Sequence, residues 1–141
     1  MSASYFLDTN IIAYAFTKQM PEKRQRALQL VEQALNTGSG TISFQVAQES
    51  LKLCQQEFSP PMELKEAQVF LQEVLTPLCG VFPNVALLNS ALELKDRYKY
   101  SFYDSLIIAA ALEAGCETLY SEDLQHGQQI GRLRIVNPFV T

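Results

Sequence analysis

The sequence predicts a three-layer α/β/α domain built around a short, mainly parallel sheet. Three observations carry that expectation. First, apolar runs of three residues alternate with long helical patterns, the order that produces parallel strands joined by helical crossovers. Second, one helical stretch, from about Phe102 to Gly115, is apolar on every side, as befits a helix buried at the centre of a domain. Third, 141 residues with 48% apolar and 18% charged side chains can fill one core without staples. No repeat, linker or shift of composition marks a second unit, so one domain over residues 1–141 is expected.

The elements follow in order. Tyr5-Phe6-Leu7 reads as a strand that stops at Asp8, and Asn10 to Phe16 as a buried helix capped by Thr9 or Asn10. Pro21 opens a helix running to about Asn36, with Ala27, Leu28, Val31, Ala34 and Leu35 at three- and four-residue spacing and Gly38 at its end. Thr41-Ile42-Ser43 is a second strand, and Ser43 is placed to cap a helix reaching Phe58. After the Ser59-Pro60-Pro61 boundary come a helix over about Glu63–Leu75, an ambiguous run from Leu78 to Phe82, and a helix over about Asn84–Tyr98. The apolar helix from Phe102 leads to the strands Thr118–Tyr120 and Arg134–Val136.

Charge and cysteine usage narrow the class. Eleven basic against fifteen acidic residues give a net charge of −4, which argues against capture of nucleic acid by a broadly basic face. It leaves room for local nucleic-acid chemistry, because bound divalent cations change the balance. Cys54, Cys79 and Cys116 are widely spaced beside a lone His126, a pattern of reduced, buried thiols rather than a disulfide framework or zinc site. No apolar run approaches a membrane span and no secretory pattern opens the chain, so a cytoplasmic protein with no membrane partner is expected.

The acids are lopsided, eleven Glu to four Asp, and the four Asp are informative. Asp8 follows the first strand, Asp104 sits in the first turn of the apolar helix, and Asp123 follows the Thr118–Tyr120 strand. Only Asp96, between Lys95 and Arg97, lies on an ordinary solvated helix face. In an open α/β sheet, strand ends and adjoining helix starts face one crevice, where ligands bind. Each acid alone has an ordinary explanation: Asp8 as a cap, Asp104 as a partner of the helix dipole, Asp123 as a turn residue. Together they repel, and a divalent cation with oxygen ligands relieves that repulsion. Glu49, about two turns into the helix after the second strand, is the candidate fourth acid.

These motifs, Tyr5-Phe6-Leu7-Asp8-Thr9-Asn10, Glu49, Ser101-Phe102-Tyr103-Asp104 and Leu119-Tyr120-Ser121-Glu122-Asp123, resemble those of PIN-domain nucleases. Within that group the chain is similar to the stand-alone VapC-type toxins of toxin–antitoxin pairs, down to the closing Val136-Asn137-Pro138-Phe139. The resemblance implies hydrolysis of RNA phosphodiester bonds with one or two Mg²⁺ or Mn²⁺ ions at Asp8, Glu49, Asp104 and Asp123. It implies that Thr9, Asn10 and Ser121 orient the carboxylates or substrate. Glu122 stands as an alternative to Asp123, or as its companion. It further implies an RNA substrate, a cognate antitoxin and a homodimer. Two divalent ions would offset the formal −4.

Lys18, Lys23, Arg24 and Arg26 form the densest basic stretch and are candidate contacts to RNA phosphates. Tyr98, Tyr100, Phe102 and Tyr103 suit either packing or base stacking. Rival classes fare worse. A HAD-type phosphatase needs a second Asp where Asn10 stands, and a receiver domain needs an Asp between Asp8 and Asp96, where there is none. A PIN-family nuclease of RNA processing, or a catalytically silent module of the same fold, remains the alternative.

Overall fold

The computed structural model describes residues 3–140. Its elements are β1 (Tyr5–Leu7), α1 (Thr9–Phe16), α2 (Pro21–Thr37), β2 (Gly40–Ser43), α3 (Phe44–Gln56), α4 (Leu64–Phe70), α5 (Thr76–Leu78), β3 (Cys79–Val81), α6 (Val85–Tyr98), α7 (Phe102–Glu113), β4 (Thr118–Tyr120), β5 (Gln129–Ile130) and β6 (Leu133–Val136). The strands form one sheet in the order β3-β2-β1-β4-β6-β5, parallel throughout except that β5 runs antiparallel to β6. The expected α/β class, with a mainly parallel sheet, is what the chain adopts.

The central strand explains the apolar runs. Tyr5, Phe6 and Leu7 pair with β4 on one side, and Tyr5 and Phe6 with β2 on the other. With helices on both faces, Phe6, Leu7, Ile42, Leu119 and Ile135 are fully buried. Each such side chain contributes about 1.5–3 kcal/mol of transfer free energy. The helix-to-strand return after α2 is tight. Gly38 caps α2 at φ 73°, and a Cβ on Gly40 would meet Ala34 Cβ and the Tyr5 ring at 2.5 Å. Only glycine lets β2 pass there.

Four details differ from the sequence reading. Asp8, not Thr9 or Asn10, caps α1, because its extended backbone continues the β1–β4 pairing while its carbonyl accepts from Ile11 and Ile12. The helix starting near Glu63 does not run uniformly to Leu75; it passes into a π turn over Leu71–Leu75 and then α5. The ambiguous run resolves as β3, confined to Cys79–Val81 on the edge of the sheet. β5 was not expected at all. Its signal was Gly131 at φ 60°, opening a two-residue hairpin between Ile130 and Leu133.

Candidate active site

The strand order creates the site. From β1 the chain steps to β2 and β3 on one side, then crosses to β4 and β6 on the other, so the carboxyl ends of β1 and β4 flank a topological switch point. Asp8 leaves β1 there and Ser121 to Asp123 leave β4. Their backbones are joined by the Asp8 amide donating to the Tyr120 carbonyl at 3.0 Å. Glu49 reaches the same crevice from α3, whose first turn is held by Ser43 Oγ accepting from the Val46 amide at 3.3 Å.

Asp8 is the buried member, only 7% exposed. The Thr9 amide donates to its Oδ1 and the Ser121 hydroxyl to its Oδ2, both at 2.7 Å. Burial nevertheless pushes its carboxyl up to about 6, against the pull of those two donors, and the charges of Glu49 and Asp123 push the same way. Glu49 is half-buried and oriented by the Thr9 hydroxyl, which donates to Oε1 at 2.6 Å. Thr9 and Ser121 therefore each tie one acid to its neighbour's segment. Ser121 does a second job, its Oγ accepting from the amides of Asp123 at 3.2 Å and Leu124 at 3.4 Å.

Asp123 is exposed and lines, with Glu49, Thr9 and Asn10, an open cavity of about 560 Å³ between α1 and α3. Asp104 stands apart from that cavity, half-buried in the first turn of α7, which Ser101 caps through the Asp104 amide at 3.1 Å. Its link to the others runs through Gln45, whose Nε2 reaches both Glu49 Oε2, at 3.4 Å, and the Tyr103 carbonyl, at 3.3 Å. The structure thus brings Glu49 and Asp123 within electrostatic reach of Asp8, and leaves Asp104 outside the cavity.

Glu122 faces elsewhere. Tyr14 donates to its Oε1 at 2.5 Å and Lys23 pairs with its Oε2. Lys23 is committed to that pair, and none of Lys18, Lys23, Arg24 or Arg26 lines the cavity. The cation that does is Lys52, one turn beyond Glu49 on α3, which sequence reasoning did not single out. Its signal was the i, i+3 spacing from Glu49. His126 is structural: its Nδ1 accepts from the Asn137 amide at 2.9 Å, and although it follows Asp123 by three residues it does not line the cavity.

The donor set suits a hard divalent cation. Among the described residues, none of the four acids forms an ion pair, so the buried Asp8 and its acidic neighbours lack a compensating charge. The buried side-chain polar atoms without a partner, again among the described residues, belong to Asn10, Gln45, Ser50 and Ser105. Of these, Asn10 lines the cavity and Gln45 bonds to Glu49, where an unmet polar atom marks a place for an ion, water or ligand. No three Asp, Glu, His or Cys side chains among the described residues close into an all-protein cage.

Fold and site together define a class. The PIN domain family matches residues 5–128, and the chain belongs to that family. No curated protein sequence matches it. Among solved structures, it is similar to a toxin–antitoxin complex from Klebsiella pneumoniae (20% identity, 96% of this chain and 98% of that one, TM-score 0.71). It is also similar to VapC20 of Mycobacterium tuberculosis, a sarcin–ricin loop cleaving toxin (21%, 85% and 90%, TM-score 0.65), and to VapBC2 of Rickettsia felis, bound to a DNA fragment from its promoter (21%, 93% and 96%, TM-score 0.58). At these identities the likeness is one of fold.

Proposed function

We propose that this single PIN domain is a metal-dependent endoribonuclease and the toxin of a toxin–antitoxin pair, working in the cytoplasm. The observation that carries the reading is the buried Asp8 carboxyl, flanked by Glu49 and Asp123 and left without a cationic partner. The fold neighbours support the toxin part: one is a toxin–antitoxin complex and another a toxin that cleaves the sarcin–ricin loop. Asp8, Glu49, Asp104 and Asp123 would hold one or two Mg²⁺ or Mn²⁺ ions. Such an ion, when bound, would supply Lewis acidity toward water and the phosphodiester.

The chain's own residues do the rest. Thr9 and Ser121 hold Glu49 and Asp8 in fixed rotamers, so little reorganisation accompanies substrate entry. The unpartnered amide of Asn10 faces the cavity, free to bond the strand being cut. Lys52 lies one turn from Glu49, the right place to hold a phosphate next to the scissile one.

The partner surface is of another kind. Val85, Leu88 and Leu92 expose one stripe of α6, continuous with Phe82 and with a groove that Phe44 and Tyr103 also line. We assign this face to a homodimer contact, leaving the acid rim to RNA and to the cognate antitoxin. The direct test is cleavage of a structured RNA by the purified protein. Cutting in Mg²⁺ or Mn²⁺ that stops with EDTA and with Asp104→Asn supports the assignment, and undiminished cutting in EDTA refutes it.

A further inference from the structure

Two residues that looked functional in the sequence, Lys23 and Glu122, meet each other, and neither lines the cavity that their common partner Tyr14 lines. Lys23 Nζ, from α2, pairs with Glu122 Oε2, and the Tyr14 hydroxyl, from α1, donates to Glu122 Oε1 at 2.5 Å. The same ammonium lies over the rings of Tyr14, at 4.9 Å, and Phe139, at 5.6 Å. Those two rings pack edge to face at 5.3 Å. Two helices, the segment after β4 and the last residues of the chain are thereby pinned at one point.

That point is one residue from Asp123. Residues 121–128 carry neither helix nor strand, and among the described residues no hydrogen bond holds the Asp123 carboxylate. Its place is set by backbone alone, anchored at Ser121 through Asp8 and at Glu122 through Lys23 and Tyr14. Both Glu122 oxygens are taken, which leaves Asp123 as the acid of this segment that is free to act.

We propose that Lys23, Tyr14 and Glu122 form a latch whose function is to position Asp123 at the metal-binding rim. They are positioning residues, acting on Asp123 through its neighbour Glu122; Lys23 and Glu122 do not line the cavity, and Tyr14 does. The inference rests on the metal-nuclease reading above and extends it to residues outside the acid set. Loss of an outer support of this kind weakens metal binding or turnover about tenfold.

The test uses the full chain and two readouts, Mn²⁺ binding followed by the EPR signal of the free ion and steady-state RNA cleavage. Lys23→Met keeps the apolar stem over both rings while removing the charge. It should weaken Mn²⁺ binding and lower kcat by about tenfold each, with KM for RNA nearly unchanged. Glu122→Gln should have a smaller effect of the same sign, because its amide still accepts from Tyr14. The exchange Lys23→Glu with Glu122→Lys should recover most of the loss. Amide hydrogen exchange at Asp123 should quicken in Lys23→Met, in protein whose thermal unfolding remains cooperative. Wild-type metal affinity, kcat and exchange in Lys23→Met would overturn the latch. So would a raised KM at unchanged kcat, which would put Lys23 on the RNA instead. Wild-type protein that neither binds Mn²⁺ nor cuts RNA would instead overturn the nuclease reading itself.

Discussion

At the carboxyl-end rim of the sheet the chain buries an acid, Asp8, among other acids and without a cation; on the outer face of α6 it leaves Val85 81% and Leu92 56% exposed to water. The two regions break the ordinary rules of burial in opposite directions. At the rim, polar groups are inside and unmet; on α6, apolar groups are outside and uncovered. Each is destabilising for the isolated chain, and each would be relieved by a different kind of partner. Charge repulsion between carboxylates is answered by a cation, and exposed aliphatic side chains by another apolar surface. The difference separates chemistry from assembly, and substitutions in one region should leave the other's partner in place.

The largest expected effect is at the rim, and it has two signs. Asp8→Asn should reduce RNA cleavage about a thousandfold, because a fixed charge of the proposed metal site is lost. The same substitution should stabilise the metal-free protein at neutral pH. The Asp8 carboxyl is raised from 3.8 to about 6 in the fold, so its contribution to stability is present at low pH and is lost as pH rises through about 6. The gap in unfolding free energy between Asp8→Asn and wild type should therefore open between pH 4 and 7, to at most about 3 kcal/mol. Thermal melts across that range check it. Mn²⁺ should stabilise wild type at pH 7.5 and progressively less below about pH 6, as Asp8 takes up its proton. Equal melts at all pH values would mean that the rim is not strained by its own charge.

The α6 face predicts an intermediate effect. Leu92→Glu should shift the mass seen by light scattering from dimer to monomer at micromolar concentration, while Mn²⁺ affinity stays within about twofold of wild type. A monomeric wild type would remove the proposed role of this face. The smallest effect is expected at Lys52, beside Glu49. Lys52→Gln should lower the salt-dependence slope of single-stranded RNA binding by about 0.7, the release expected from one phosphate contact. Its effect on kcat should be slight, and an unchanged slope would take Lys52 off the RNA path.

Much of this was readable in the linear sequence, for definite reasons. Strands buried on both faces must be apolar throughout, so Tyr5-Phe6-Leu7 and Thr118-Leu119-Tyr120 declared themselves, and in an open parallel sheet the acids that follow such strands fall at one rim. Ser43 and Ser101 were readable too, because capping is local chemistry within three residues. The cap of α1 was left between Thr9 or Asn10 and Asp8, and the structure gives it to Asp8, which serves strand and helix at once. β5 was missed because two residues, Gln129 and Ile130, carry no period of their own and exist as a strand only by pairing with β6.

What the sequence determined by itself is the parallel strands β1, β2, β4 and β6, the main helices packed on them and the placing of Asp8 and Asp123 just past strand ends, since these follow from periodicity. It also set Asp104 at the same crevice, whereas the structure puts it apart from the cavity. What only the tertiary structure decided is the division of labour between neighbours. Glu122 and Asp123 are adjacent and chemically alike, yet one is held by Lys23 and Tyr14 and the other faces the cavity. Lys23 and Lys52 are both solvent-accessible cations, yet only Lys52 lines that cavity. In a segment without regular structure, a side chain's direction is set by partners about a hundred residues away in the chain, 99 for Lys23 and 108 for Tyr14, and no local pattern encodes them.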